Sequence, residues 1–392
     1  MKKILFVEDN ALITRIYSQK LTEAGFEVGV AEDGEAAIKL LPGFKPDLVV
    51  LDLLMPKSTG AEVLKFIRRS PELHSTRVVV FSNSFLGELV KEVAAAGVQK
   101  TLIKSCVTPT QLVNTIHEVL QGPEHGGHFQ ETESSAGSKP KGEEDEEFKT
   151  RVQLEFVERA PGILKDIRHQ CEGFVESADS SSQPHHLEDL TRKVGLLTHM
   201  TSIAGHQNIA HLSSALEALL FELQTRPEHI NDSSRHTVAS TVAFLAAHYD
   251  DEGHAKQPVL SLANILIVDD DAVVNLALSN SLSKAGLAAS SVADPNEALK
   301  KLRKTPYDLV LIDVNMPGIG GMELCEQMRA IPLHRRTPVI FITSNTDFKT
   351  RSRSVLSGGD ELITKPILPV ELCVKAITYL LKGRFAGTKS VR

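Results

Sequence analysis

The chain has 392 residues, 42% of them hydrophobic and 24% charged, the balance of a globular protein long enough for two or three domains. The net charge of −7 sits in the middle: residues 122–258 hold 12 basic and 23 acidic side chains, against 14 and 14 in 1–121 and 17 and 13 in 259–392. No basic stripe or helix-turn-helix pattern is present, which argues against a nucleic-acid-binding output, and no apolar run reaches membrane-spanning length. The four cysteines are scattered without metal-ligand spacing, and Met1-Lys2-Lys3 leads straight into a strand-like run rather than a secretion signal, so a cytoplasmic protein is expected.

In chain order, short apolar runs alternate with helical stretches: "KILFV" (3–7), "EVGVA" (27–31), "LVVLD" (48–52), "RVVVF" (77–81) and "KTLIK" (100–104). Five such runs interleaved with helices predict a parallel sheet covered on both faces. Residues 122–147, rich in Gly, Ser, Pro and Glu, cannot bury a core and read as a flexible acidic linker. From 148 to 252 the pattern turns helical, with Phe148, Val152, Phe156, Ile163, Ile167, Cys171 and Phe174 at three-, four- or seven-residue steps, which predicts an all-α bundle of about four helices. After a break at 250–258 the first rhythm returns: "NILIV" (264–268), "LAASSVA" (287–293), "LVLID" (309–313), "PVIFI" (338–342) and "ELITK" (361–365).

The two outer segments, 1–121 and 260–385, are in register. Glu8, Asp9, Asp52, Met55, Pro56, Gly60, Ser82 and Lys104 match Asp269, Asp270, Asp313, Met316, Pro317, Gly321, Thr343 and Lys365, each pair 261 positions apart. So many matches without an insertion indicate an internal duplication. Each copy has an acidic pair after its first strand, an aspartate ending its third, a hydroxyl ending its fourth and a lysine ending its fifth. Doubly wound sheets place their chemistry at these carboxyl ends. Three crowded carboxylates repel one another, which a divalent cation such as Mg²⁺ relieves, and a carboxylate held there is a nucleophile toward phosphorus. Lysine and hydroxyl would then hold the phosphoryl oxygens.

This arrangement resembles the receiver domain of two-component response regulators, over residues 2–120 and 263–383, about 60% of the chain. The resemblance implies two flavodoxin-like α/β receivers flanking the helical bundle. It makes Asp52 and Asp313 the phosphoacceptors. Glu8, Asp9, Asp269 and Asp270 join them around Mg²⁺, with Asp9 and Asp270 as direct ligands. Ser82 and Thr343 become switch hydroxyls, and Lys104 and Lys365 phosphoryl contacts. A histidine kinase or phosphotransfer protein would be the donor and an unidentified protein the downstream partner, with neither nucleic acid nor membrane involved. The product is a signalling module rather than a conventional enzyme; the competing reading is a scaffold of pseudo-receivers. Two departures stand out: Lys104 is followed by Ser105 where Lys365 has the family's Pro366, and Thr101 and Leu362 stand where the family often has an aromatic ring. "GGDEL" (358–362) resembles the diguanylate cyclase signature but falls, in register, on the turn into the fifth strand of the second copy.

The helical segment resembles a histidine phosphotransfer (Hpt) domain, through "FVERAPGILKDI" and "AGHQNIAHLSSALEALL". The family's histidine position falls on Gly195, which implies a degenerate, Hpt-like bundle. His199, one turn later on the same face, is a phosphocarrier candidate; with Ser202 and Ile203 following it, an ordinary surface or packing histidine is the plainer reading. His185, His186, His206 and His211 lack zinc-site spacing and are expected to be solvated. Residues 386–392 form a tail.

Overall fold

The computed structural model describes residues 1–55, 58–82, 93, 95–104, 107–122, 143–176, 183–249, 260, 263–344 and 357–388, except the side chains of 12, 103, 143–149, 151–152 and 384–388. Pro56, Ser105, most of the linker, the 250–258 break and the end of the tail lie outside the described residues, as do the side chains of Phe148 and Val152. The chain folds as two compact units: residues 1–167 with 184–214, and residues 168–183 with 215–392.

In the first unit β1 (Lys3–Val7), β2 (Glu27–Ala31), β3 (Leu48–Leu51), β4 (Arg77–Ser82) and β5 (Lys100–Ile103) pair in parallel, in the order β2-β1-β3-β4-β5. The helices α1 (Ala11–Glu23), α2 (Gly34–Phe44), α3 (Gly60–Arg69) and α4 (Pro109–Gln121) alternate with them. The central strands are apolar on both faces because both faces are covered: Ile4, Leu5, Phe6, Leu48, Val49, Val78, Val79 and Phe81 are all fully buried. β2, at the edge, is only partly buried and accommodates Gly29.

The second unit repeats this with β6 (Asn264–Val268), β7 (Ala288–Val292), β8 (Leu309–Asp313), β9 (Val339–Thr343) and β10 (Glu361–Thr364), in the order β10-β9-β8-β6-β7. Its helices include α9 (Ala272–Lys284), α10 (Pro295–Leu302), α11 (Gly321–Arg329) and α12 (Pro369–Thr388). Along the chain, between the strands of the first sheet and those of the second, come α5 (Glu143–Glu176), α6 (Gln183–Ala204), α7 (Gln207–Thr225) and α8 (Asp232–His248). Buried residues at helical spacing line these helices: Phe156, Ala160, Leu164 and Ile167 on α5, and Leu187, Leu190, Val194 and Leu197 on α6. Among the described residues no helix is long and apolar enough to cross a membrane.

Two further devices repeat at the 261-residue spacing. Asp47 accepts from the amide of Lys3 (2.8 Å) and Asp308 from that of Asn264 (2.9 Å), each fixing the start of the first strand. Arg68 binds the carbonyls of His74, Thr76, Ala96 and Gly97; Arg329 binds those of His334, Thr337 and Gly358. Each guanidinium satisfies several loop carbonyls at once.

Candidate functional site

In both copies the third strand ends where the next helix must pass very close. A Cβ at Gly60 would lie 2.1 Å from the backbone oxygen of Asp52, and one at Gly321 would lie 2.0 Å from that of Asp313. Only glycine admits this approach. The turn then returns a backbone amide to each carboxylate: Leu54 N donates to Asp52 Oδ1 (3.0 Å) and Asn315 N to Asp313 Oδ2 (2.7 Å).

In the first unit Lys104, just past β5, places its ammonium 2.6 Å from Asp52 Oδ2 and 2.7 Å from Glu8 Oε2. Glu8, Asp52, Ser82 and Lys104 are all buried. Burial raises the Asp52 carboxyl above its ordinary range, with Lys104 opposing and Glu8 reinforcing the shift. The hydroxyl of Ser82, at the end of β4, is buried without a hydrogen-bond partner among the described residues. Carboxylate oxygens of Glu8, Asp9 and Asp52 lie within 4.8 Å of one another. That all-oxygen, partly solvated donor set fits a hard divalent cation such as Mg²⁺.

The second unit has the same bridge. Lys365 lies 2.7 Å from Asp313 Oδ1 and 3.0 Å from Asp269 Oδ2. Burial depresses the lysine, but the hydrogen bonds it donates to Asp313 and Asp269 outweigh it and the net shift is upward; burial raises Asp313. Thr343 is fully buried at the end of β9, its carbonyl accepting from the amide of Lys365 (2.8 Å). The Lys365-Pro366 peptide bond is cis. Two differences separate the copies. The Lys365 side chain is 26% exposed where that of Lys104 is 7% exposed. Asp270 is exposed, and among the described residues Asp269, Asp270 and Asp313 do not gather as tightly as Glu8, Asp9 and Asp52. Asp269 is held instead by Lys365 and by the amide of Asp271 (2.9 Å).

His199, on α6, is buried rather than on the helix surface. Its Nδ1 is 2.7 Å from the carbonyl of Gly195, which can only accept, so Nδ1 carries the proton. Nε2 is buried with no hydrogen-bond partner among the described residues. Burial pushes the ring down to about 3, with Lys104 lowering it further and Gly195 and Asp52 opposing. The other histidines differ from expectation in part: His185 is exposed, but His186, His206 and His211 are half-buried, and His206 packs its ring 4.9 Å from that of Phe156.

Of the residues named from sequence, Glu8 and Asp52 meet Lys104, and Asp269 and Asp313 meet Lys365. Sequence reasoning missed the supporting amides of Leu54 and Asn315, which leave no side-chain signal. It also passed over Arg68/Arg329 and Asp47/Asp308, which the 261-residue spacing could have found.

Comparison with known proteins supplies the relatives. The model of the response regulator receiver domain matches residues 4–117 and 265–377. Protein RcaC of Microchaete diplosiphon is 34% identical over 120 residues, 31% of this chain and 18% of that protein. The uncharacterized transcriptional regulatory protein YrkP of Bacillus subtilis is 34% identical over 116 residues, 30% of this chain and 48% of that one. The chain thus spans less than half the length of these curated relatives. A receiver domain protein (CheY-like) from Methanospirillum hungatei, known from its crystal structure, is 28% identical, covers 32% of this chain and 98% of its own, and has a TM-score of 0.31. With more than half of its residues matched by two copies of one model, each containing a lysine-bridged carboxylate, the chain belongs to the response regulator receiver domain family.

Proposed function

We propose that this protein is a two-component response regulator that accepts phosphoryl groups on Asp52 and Asp313 and signals through protein contacts. The observation that carries this reading is the lysine bridge repeated in both units, 2.6 Å to Asp52 and 2.7 Å to Asp313. A carboxylate oxygen of Asp52 attacks phosphorus; the bond from phosphorus to the donor's nitrogen or oxygen breaks, and the leaving group keeps that electron pair. Lys104 transfers its hydrogen bonds from the carboxylates to the phosphoryl oxygens, and the unpartnered Ser82 hydroxyl supplies a further donor. Lys365 and Thr343 take these roles in the second unit. Mg²⁺, when bound, neutralises charge between carboxylates and phosphate; Glu8, Asp9 and Asp52 would hold it, and Asp269, Asp270 and Asp313 are the corresponding set.

The donor is a histidine kinase or a phosphotransfer protein, and the setting is cytoplasmic. The absence of a basic stripe supports an output through proteins rather than DNA, and the helical region is read as an Hpt-like bundle without conventional enzyme activity. Labelling the full chain with acetyl phosphate and Mg²⁺ tests the site assignment. Asp52→Ala and Asp313→Ala should each remove one acid- and alkali-labile phosphate, and the double variant should remove both. Full labelling of the double variant would refute it.

The buried Nε2 of His199, without a hydrogen-bond partner among the described residues, favours a second reading, in which His199 exchanges the phosphoryl group with Asp52. The P–Nε2 bond forms as the P–O bond to Asp52 breaks. The carboxylate leaves, and Nδ1 keeps its proton on the Gly195 carbonyl. An alkali-stable fraction of the label that disappears in both His199→Gln and Asp52→Ala is the expected result; a label wholly labile in alkali rejects this exchange.

A further inference from the structure

The duplication kept the two pockets but not the faces beside them. In the second unit α12 and β10 carry Glu361, Glu371, Lys375 and Thr378; 261 positions earlier stand Lys100, Thr110, Asn114 and His117. In the first unit Asn114 and His117 are exposed, and Lys100 pairs with Glu118 at 3.1 Å. In the second, Glu371 and Lys375 are almost completely buried, at 3% and 2% exposure. A buried carboxylate and ammonium are costly unless partnered, so their partners show what this face is built for.

The partners come from α8 and from β10. Ser233 and Thr237 donate their hydroxyls to Glu371 Oε1 at 2.6 and 2.9 Å, and Thr241 meets Thr378 at 3.4 Å. The ammonium of Lys375 reaches Glu361 Oε1 (3.3 Å), Glu371 Oε1 (3.9 Å) and the carbonyl of Leu362 (3.1 Å). His236 of α8 lies 3.4 Å from Glu361 Oε2. The hydroxyls on α8 recur every four residues, as a helix must present them to lie along α12. A face furnished in this way is matched to α8.

We propose that α8 is the internal reader of the second receiver, so that phosphorylation of Asp313 is signalled within this chain through the β10–α12 face. The proposal rests on Asp313 being a phosphoacceptor. β10 is the shared element: Lys365, directly after it, holds Asp313 and Asp269, while Glu361 and Leu362, at its start, hold Lys375 and His236. When Lys365 re-pairs with a phosphoryl group, the strand that carries it shifts against a network whose hydrogen bonds are matched to the unmodified position. A cleft of about 290 Å³ beside the joint, lined by His236, Asp360, Glu361, Lys375 and Tyr379, gives those side chains room to move. The first receiver, with its exposed Asn114 and His117, has no such arrangement in the register positions.

Hydrogen exchange of the full chain with and without beryllofluoride and Mg²⁺ tests this, with fluorine NMR reporting occupancy at Asp313. Beryllofluoride should accelerate exchange of the α8 amides, 232–248, by about fivefold or more, a response that Asp313→Ala abolishes and Asp52→Ala leaves in place. Thr237→Val, close to isosteric, should raise α8 exchange before any beryllofluoride is added and shrink the response. Occupancy at Asp313 with unchanged α8 exchange overturns the proposal while leaving the phosphoacceptor assignment standing. A fluorine signal insensitive to Asp313→Ala sinks that assignment, and the proposal with it.

Discussion

Lys104 and Lys365 make the same bridge under different solvation, and their removal should separate the two. Lys104 neutralises two carboxylates that are almost fully buried, Glu8 at 1% and Asp52 at 2% exposure. Lys104→Ala strands both charges, so it should cost about 3–5 kcal/mol in denaturant unfolding. Lys365→Ala should cost less, because the 26% exposed side chain already shares its pocket with water. Equal losses would mean that burial does not set the strength of these bridges. The residue scale is also where sequence reading succeeded most fully. Carboxylate, hydroxyl and lysine each follow a strand at fixed spacing, and a parallel sheet brings strand ends together whatever the details of packing. His199 is the counterexample. Its +3 and +4 neighbours gave no hint of an Nε2 sealed from water, because burial depends on what lies over the helix.

At the scale of elements, α3 and α11 are register counterparts with unequal caps. Thr59 accepts from the amide of Glu62 while Glu62 returns a bond to the amide of Thr59, a reciprocal capping box. The equivalent Gly320 caps nothing with a side chain, although Glu323 stands ready three residues on. Among the described residues, a Cβ at Gly320 meets only the Val314 oxygen, at 3.7 Å, and φ is −67°. Gly320→Thr should therefore stabilise by about 0.3 kcal/mol, read as a small rise in Tm; a fall would show that the cap cannot form.

The joint between β10 and α8 has a pH signature. Burial alone would raise Glu361, but His236, Lys375 and the Leu362 amide outweigh it and bring it to about 2 from an ordinary 4.5. A lowered carboxyl stabilises the fold above its unfolded value and loses that contribution as pH falls toward its folded one. Glu361→Gln should therefore cost about 2 kcal/mol at pH 7 and nothing near pH 2, with convergence between 4.5 and about 2. Most of this belongs to buried Lys375, since His236 is 63% exposed and its pairing is screened. Parallel unfolding curves across that window would contradict it.

For the molecule as a whole, the described carboxylates and lysine of each pocket belong to one unit, so the two should label independently. Asp52→Ala should leave the rate of Asp313 labelling within about twofold of the parent, and the reverse should hold. A tenfold change in either would reveal coupling between the halves.

The sequence by itself determined the duplication, the two parallel sheets, the helical segment between them and the identity of both bridges. Each of these follows from local periodicity or from fixed spacing along the chain, which residue type records directly. The tertiary structure decided how the 148–252 segment is shared between two compact units, how much tighter the first acidic cluster is than the second, and why Glu371 and Lys375 are buried. In sequence those last two look like solvated charges on a terminal helix. The approach of α8 supplies the hydroxyls that replace the water around Glu371, and packing between elements distant along the chain leaves no period to read.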